Sequence, residues 1–375
     1  MQTVLVLTLT VVCVMGLPTQ LNAQVLIDLD GEAQRQVIVD RESEQYLGHP
    51  STLLLEDGRT ILCVYPKGHG RGAIVYKRSS DGGLTWSSRL PTPANWATSL
   101  ETPTLHRVVD ETGRRRVILF SGLYPARMAV SEDDGGSWSE LRPVGEWGGI
   151  VVMGCLIDLK TGPGHYMAMF HDDGRFFKEG GERTGIFTLY KTFSMDGGLT
   201  WSYPETIFSQ TEVHLCEPGI IRSPDGQQLL CLMRENNREF NAWRMTSDDE
   251  GETWSEAAPL PASLSGDRHM SAYAADGRLV VSFRDTAAGS PTRNHFVAWV
   301  GTYDDIVSGG VGLYRIKLLH SYSAGDCGYS GLEVLPGGTL VATTYIKYEP
   351  GARRHSVVSV RFTLDELDRK VRALS

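Results

Sequence analysis

Ser79-Ser-Asp81-Gly-Gly83-Leu-Thr85-Trp86 returns as Ser131-Glu-Asp133-Asp-Gly135-Gly-Ser137-Trp138, as Ser194-Met-Asp196-Gly-Gly198-Leu-Thr200-Trp201 and as Ser247-Asp-Asp249-Glu-Gly251-Glu-Thr253-Trp254. The shared pattern, Ser-x-Asp-x-Gly-x-Thr/Ser-Trp, recurs every 50 to 65 residues or so, the spacing of a repeat architecture. Its residue types suit a tight turn. The Asp carboxylate accepts backbone N–H bonds, the Gly takes a positive φ that other residues avoid, and the Trp is a large apolar wedge between neighbouring sheets. The aspartates of the phrase are therefore read as parts of a folding staple and not as catalysts.

Working outward, the chain between the staples consists of paired β-rich runs joined by Asp-Gly, Thr-Gly or Gly-Gly turns: Ser51–Glu56 with Thr60–Tyr65, Thr104–Val109 with Arg116–Ser121, and Val152–Leu159 with His165–Phe170. Gly219–Arg222 with Gln228–Met233, Ser271–Ala274 with Leu279–Phe283, and Gly331–Leu335 with Thr339–Thr344 continue the series. Such turns between β-rich runs are strong hairpin signals. Six hairpins, 41 glycines and no helical periodicity predict an all-β fold, a six-bladed β-propeller forming a single domain over residues 24–375. The lone run Gln24–Asp30 is expected to complete the last blade and so close the ring. A degenerate phrase, Trp299 to Asp304, stands in blade five, and Glu366 to Leu374 reads as a short terminal helix.

In an antiparallel blade the staples and the hairpin turns share one face, which sends the search for chemistry to the opposite mouth. The residues just before each first strand and just after each second one are His49, Lys67, His69, Arg71, Glu101, His171, Asp172, Glu217, Arg234, Arg268, His269, Arg284, Arg293, Tyr329, Tyr345 and Lys347. Titratable groups converging on one axis make this mouth the candidate site. Several arginines there point to a ligand carrying a carboxylate or sulfate.

The formal net charge of −9, with no basic stripe, argues against a nucleic-acid partner. Residues 1–23 read as a secretory signal, with an apolar core from Val4 to Met15 and a small residue, Ala23, before Gln24, so export or a periplasmic location is expected, without a membrane span. Five cysteines would remain in the mature chain: Cys63, Cys155, Cys216, Cys231 and Cys327. They match neither a CxxC pair nor a zinc site, and their odd number leaves at least one unpaired within the chain, with one disulfide left open. The histidines lack paired metal-ligand spacing, and neither a metal nor a cofactor is expected.

The four staples, together with Cys216-Glu217-Pro218-Gly219, Leu232-Met-Arg234-Glu235-Asn236 and Tyr329-Ser330 ahead of Leu335-Pro-Gly-Gly338, resemble the sialidase (neuraminidase) superfamily, whose six-bladed propellers carry these Asp-box or BNR repeats. The resemblance covers nearly all of residues 24–375. It implies a Tyr329 nucleophile with Glu217 as its base, and an arginine clamp for a substrate carboxylate made by Arg234 with Arg293 or Arg284. Blade one departs from the pattern. Gly48-His49-Pro50 stands where the family carries an arginine, and Pro66-Lys-Gly-His-Gly-Arg71 lacks the family's acidic proton donor. His69, His49 and Asp172 lead as substitutes for that donor, Glu101 would serve if burial raised its pKa, and Arg71, Glu101 and His171 line the substrate. The expected function is an exported exo-acting glycoside hydrolase that removes a terminal acidic sugar, sialic acid or a relative, from a glycan. A uronate-directed polysaccharide lyase and a non-catalytic glycan-binding propeller are the alternatives.

Overall fold

The structure, a computed structural model, describes residues 24–374; the signal expected over residues 1–23 lies outside the described residues. Six small sheets, antiparallel apart from one added outer strand in blade five, stand around one axis. Their inner strands are Ser51–Leu54, Thr104–Val109, Ile150–Asp158, Leu215–Arg222, Gly266–Tyr273 and Ser330–Val334, and each lies against the next around a closed ring. Blade one has three regular strands, blades two to four have four each, and blade five carries a fifth.

The staples explain why the blades stay together. In the third one, Ser194 Oγ donates to Asp196 Oδ1 at 2.9 Å and accepts from Gly198 N at 2.9 Å, while the two Asp196 oxygens accept from Thr200 N at 2.9 Å and Thr200 Oγ1 at 2.6 Å. The other three repeat this pattern. The central Gly is required twice over. Its φ is 81° at Gly198, and a Cβ there would lie 2.8 Å from Ile118 of the preceding blade; at Gly251 it would meet Met167 Sδ at 2.4 Å. The Trp beside it then packs across the same seam, with Trp201 edge-on to Phe120 of blade two and Trp138 edge-on to Tyr76 of blade one. Turn chemistry and blade-to-blade packing are thus served by one eight-residue phrase.

Two expectations are corrected. Ring closure is made by Gln36–Asp40, which pairs antiparallel with Ser356–Thr363 in blade six, whereas Val25–Asp28 runs parallel to the outer strand Tyr314–Leu319 of blade five. The strand nearest in sequence to blade one is the one that can reach blade six without a long crossing, and the earlier run instead covers an outer edge, burying Ile27 and Leu29. In blade five the degenerate phrase is no turn. Its Trp299 lies within the strand Phe296–Gly301, and a helix, Tyr303–Ser308, follows, capped reciprocally by Thr302 and Asp305. The terminal helix is present as Leu364–Leu374. The five cysteines of the described residues are unpaired. No helix among the described residues is long and apolar enough to cross a membrane.

Replacing Ser194 by Ala strips a buried N–H, that of Gly198, of its acceptor at the seam between blades two and three. Denaturant titration should show a loss of about 1–3 kcal/mol, the usual cost of an unsatisfied buried group, with ligand binding per folded molecule unchanged.

Candidate active site

The mouth is assembled by a repeated backbone kink. At the heads of the inner strands of blades one, four and five, His49, Glu217 and Arg268 each adopt φ of 52°, and the ladder register breaks between Cys216 and Gly219 and between Asp267 and Met270. A bulge of this kind turns side chains out of the sheet and toward the axis. His171 supports the kink in blade four, its Nδ1 accepting from Glu217 N at 3.4 Å while its ring stacks on Phe187. Burial lowers the His171 pKa to about 4, so it is neutral and acts as a positioning residue.

Glu217 is the centre of the site. One of its oxygens, Oε1, accepts from the Tyr329 hydroxyl and from Arg234 Nη1 at 2.6 Å, and the other, Oε2, is buried with no hydrogen-bond partner among the described residues. Burial is the largest influence and opposes its ionisation, as does the Asp267 charge, but Arg234, the Tyr329 hydroxyl and His171 together hold the carboxyl below its ordinary range. Burial and the adjacent Glu217 charge push the Tyr329 phenol far up. The pair is therefore a neutral phenol donating to a carboxylate, the geometry in which a hydroxyl is activated by proton removal.

Beside it, Asp267, with 1% of its side chain exposed, lies between three guanidinium groups. Arg284 Nε donates to it at 2.7 Å, Arg238 reaches it through Nη1 and Nη2, and Arg234 Nε lies 3.3 Å away. Burial works against the charge, but Arg284, Arg234 and Arg238 together lower its pKa to about 2. Arg284 also donates through Nη1 to Gly325 O at 2.5 Å, which fixes the segment leading to Tyr329. Gly328 in that segment has φ of 98°, and a Cβ there would sit 2.4 Å from Arg284 Cβ, so no other residue fits.

Blade one supplies a second cluster. Tyr46 Oη lies 2.8 Å from His69 Nδ1 and donates to Asp326 at 2.9 Å, and Asp326 pairs with His69 at 3.3 Å and His355 at 3.2 Å. The His49 ring stacks on Tyr345 and stands edge-on to Tyr329, its Nδ1 accepting from Gly70 N at 2.9 Å. Burial, with His69 beside it, depresses the His49 pKa well below the ordinary value, so this imidazole is neutral and not a proton donor. Glu101 lies under the same loop, its Oε1 3.8 Å from where a side chain on Gly70 would begin. Burial raises its pKa to about 7, and the Glu217 charge adds to the effect. Two carboxyls in one mouth are thus pushed apart, the pattern that separates an acid from a base.

The remaining sequence-derived residues sort as follows. Arg284, not Arg293, is the third arginine of the cluster. Arg293 and Arg71 are exposed, and among the described residues no hydrogen bond or ion pair ties either side chain to it. Asp172 is corrected from proton donor to loop cap, since its carboxylate accepts from Gly174 N at 2.7 Å and from Phe176 N and Phe177 N at 3.2 Å. Glu235 and Asp285 cap the loops that leave the equivalent strand ends in blades four and five. Arg268 reaches across to Gly154 O at 2.6 Å, and His269 bonds Leu264 O at 2.8 Å, away from Glu217. Asp267, Arg238, Asp326 and Tyr46 escaped the sequence reading. Asp267 was marked by its place, one residue before the kink, as Cys216 is in blade four.

A family model described as BNR repeat-like domain matches residues 120–282 and 176–311, together more than half of the chain. The chain belongs to this family, within the sialidase-like superfamily that its repeats resemble. It is 26% identical over 240 residues to the anhydrosialidase of Macrobdella decora, a match that takes in 60% of the chain and spans only 30% of that relative's length. Among solved structures, the alpha-L-arabinofuranosidase of Fusarium graminearum superposes with a TM-score of 0.64 at 14% identity, covering 88% of this chain and 98% of that one. The intramolecular trans-sialidase of Ruminococcus gnavus gives 0.59 at 16% identity, covering 88% and 96%. At such identities the superpositions establish the six-bladed fold.

Glu101 supplies a pH signature. The folded chain keeps its proton up to about pH 7, whereas an ordinary Glu releases it near 4.5, so this group makes stability fall as pH rises through that window. Denaturation of Glu101→Gln between about pH 5 and pH 8 should show a flatter profile than the parent chain, by up to about 3 kcal/mol.

Proposed function

We propose that the chain is an exported glycoside hydrolase that removes a terminal sugar from a glycan through a covalent tyrosyl intermediate. The observation that carries this reading is the Tyr329 hydroxyl donating to a Glu217 carboxylate that Arg234 keeps ionised. Glu217 takes the phenolic proton as Tyr329 Oη bonds to the anomeric carbon. The glycosidic C–O bond breaks, and Glu101 gives its proton to the leaving oxygen. Water then attacks the glycosyl-tyrosine, Glu101 now acting as base, and Glu217 returns the proton to Tyr329. A buried acid with a pKa of about 7 suits both halves of this cycle. The family membership and the sialidase and arabinofuranosidase relatives support a glycosidase. Export rests on the apolar leader in the sequence.

The test is sugar release from a panel of aryl glycosides and natural oligosaccharides. Tyr329→Phe and Glu217→Gln should each lower kcat by at least about 100-fold, and Glu101→Gln should remove the alkaline limb of the kcat/KM profile near pH 7. His69→Asn, which alters the second cluster, should keep more than about a tenth of the parent activity, because Glu101 remains to deliver the proton. Full activity in Tyr329→Phe contradicts the nucleophile. Binding of a glycan without turnover contradicts hydrolysis, and a near-ultraviolet chromophore in the product would mark a lyase instead.

A further inference from the structure

The arginines of the mouth invite the expectation of an acidic sugar, but the paired hydrogen-bonding edges of Arg284 and Arg238 are already in use, and Arg234 is ion-paired to both Asp267 and Glu217. The Nε and Nη2 edge of Arg284 and the two Nη groups of Arg238 are on Asp267, and Arg234 bridges Asp267 and Glu217. A guanidinium recognises a carboxylate through such a paired edge, and an edge that holds one carboxylate has no fork left for another. Asp267 cannot easily yield its place. It belongs to the inner strand of blade five, is paired in register with Arg284, and is almost wholly buried. Displacing it would leave a buried carboxylate without partners, which is strongly unfavourable. Blade one adds no free cation at the matching position, because His49 stands there with its ring packed between Tyr345, Tyr329 and His69.

We propose that Asp267 is an internal substitute for a substrate carboxylate, and that the terminal sugar accepted by this site is uncharged. The residue acts as the specificity determinant by occupying the arginine cluster, whose Arg234 also donates to Glu217 beside Tyr329. This rests on the reading of the mouth as a glycosidase site, and it is the alternative to the acidic sugar expected from the arginine count.

Binding to the intact chain tests the proposal without relying on turnover. Calorimetric or saturation-transfer titrations would compare neutral aldopentoses and aldohexoses with N-acetylneuraminic acid and glucuronic acid. Neutral sugars should bind with an affinity insensitive to salt, and the acidic ones should not bind. Asp267→Asn, close in shape, should raise the affinity for the acidic sugars at least about tenfold, the worth of one charge-assisted hydrogen bond to a freed guanidinium. Salt-sensitive binding of an acidic sugar to the parent chain overturns the proposal, as does binding of neither class. If Asp267→Asn fails to fold, the parent titrations decide alone. The underlying glycosidase reading fails separately: neutral sugars that bind while no glycoside is cleaved leave the specificity standing without the hydrolysis. An acidic glycoside that is cleaved does the reverse.

Discussion

Three guanidinium groups can share one pocket only if something negative sits among them, and here that is the buried carboxylate of Asp267. The consequences run outward from it. With Arg284 and Arg238 committed to Asp267, Arg234 donates through Nη1 to Glu217, and with the Tyr329 hydroxyl and His171 it offsets the burial and the Asp267 charge that oppose ionisation of Glu217. An ionised Glu217 is what gives the Tyr329 phenol an acceptor, and Arg284 anchors the Gly325 carbonyl of the segment that brings Tyr329 there. One buried charge thus links blades four, five and six around the reacting atoms, and removing it would leave three guanidinium groups without their shared partner.

That arrangement sits on a scaffold held from the other end. The staples tie each of blades one to four to its predecessor at the face opposite the mouth, where the Gly of each phrase enters the seam and Trp138 and Trp201 pack across it. The mouth is left to carry left-handed kinks at His49, Glu217 and Arg268, conformations that persist only when the surroundings over-determine them. At Glu217 the surroundings include His171, which accepts from its N–H; at His49 the Gly70 N–H, which donates to its ring; and at Arg268 the Gly154 carbonyl, which accepts from its guanidinium. Strain at the site and regularity at the far face are two halves of one design.

What the sequence made legible follows the range of the interactions involved. The staples and hairpin turns are local, so the six blades and the face assignment could be read residue by residue, and Glu217, Arg234 and Tyr329 came with motifs at fixed places in those blades. Gln24–Asp30 and Gln36–Asp40 are both β-rich, and which of them closes the ring depends on the path the chain must take. Asp172 lies at the right strand end, but a position does not reveal that its carboxylate turns back to its own loop amides. Asp267 with Arg238, and Asp326 with Tyr46 and His355, are partnerships between segments distant in sequence, where spacing carries no signal. Raising the Glu101 pKa is likewise a matter of burial by other blades.

The most direct measurement is peptide-level mass spectrometry of the chain after reaction with a fluorinated, activated glycoside of whichever sugar it releases, since fluorine beside the anomeric carbon slows the second half of the cycle. One glycosyl adduct is expected, located on Tyr329 and absent from Tyr329→Phe. An adduct on Glu217, or steady turnover with no adduct on any residue, would contradict it.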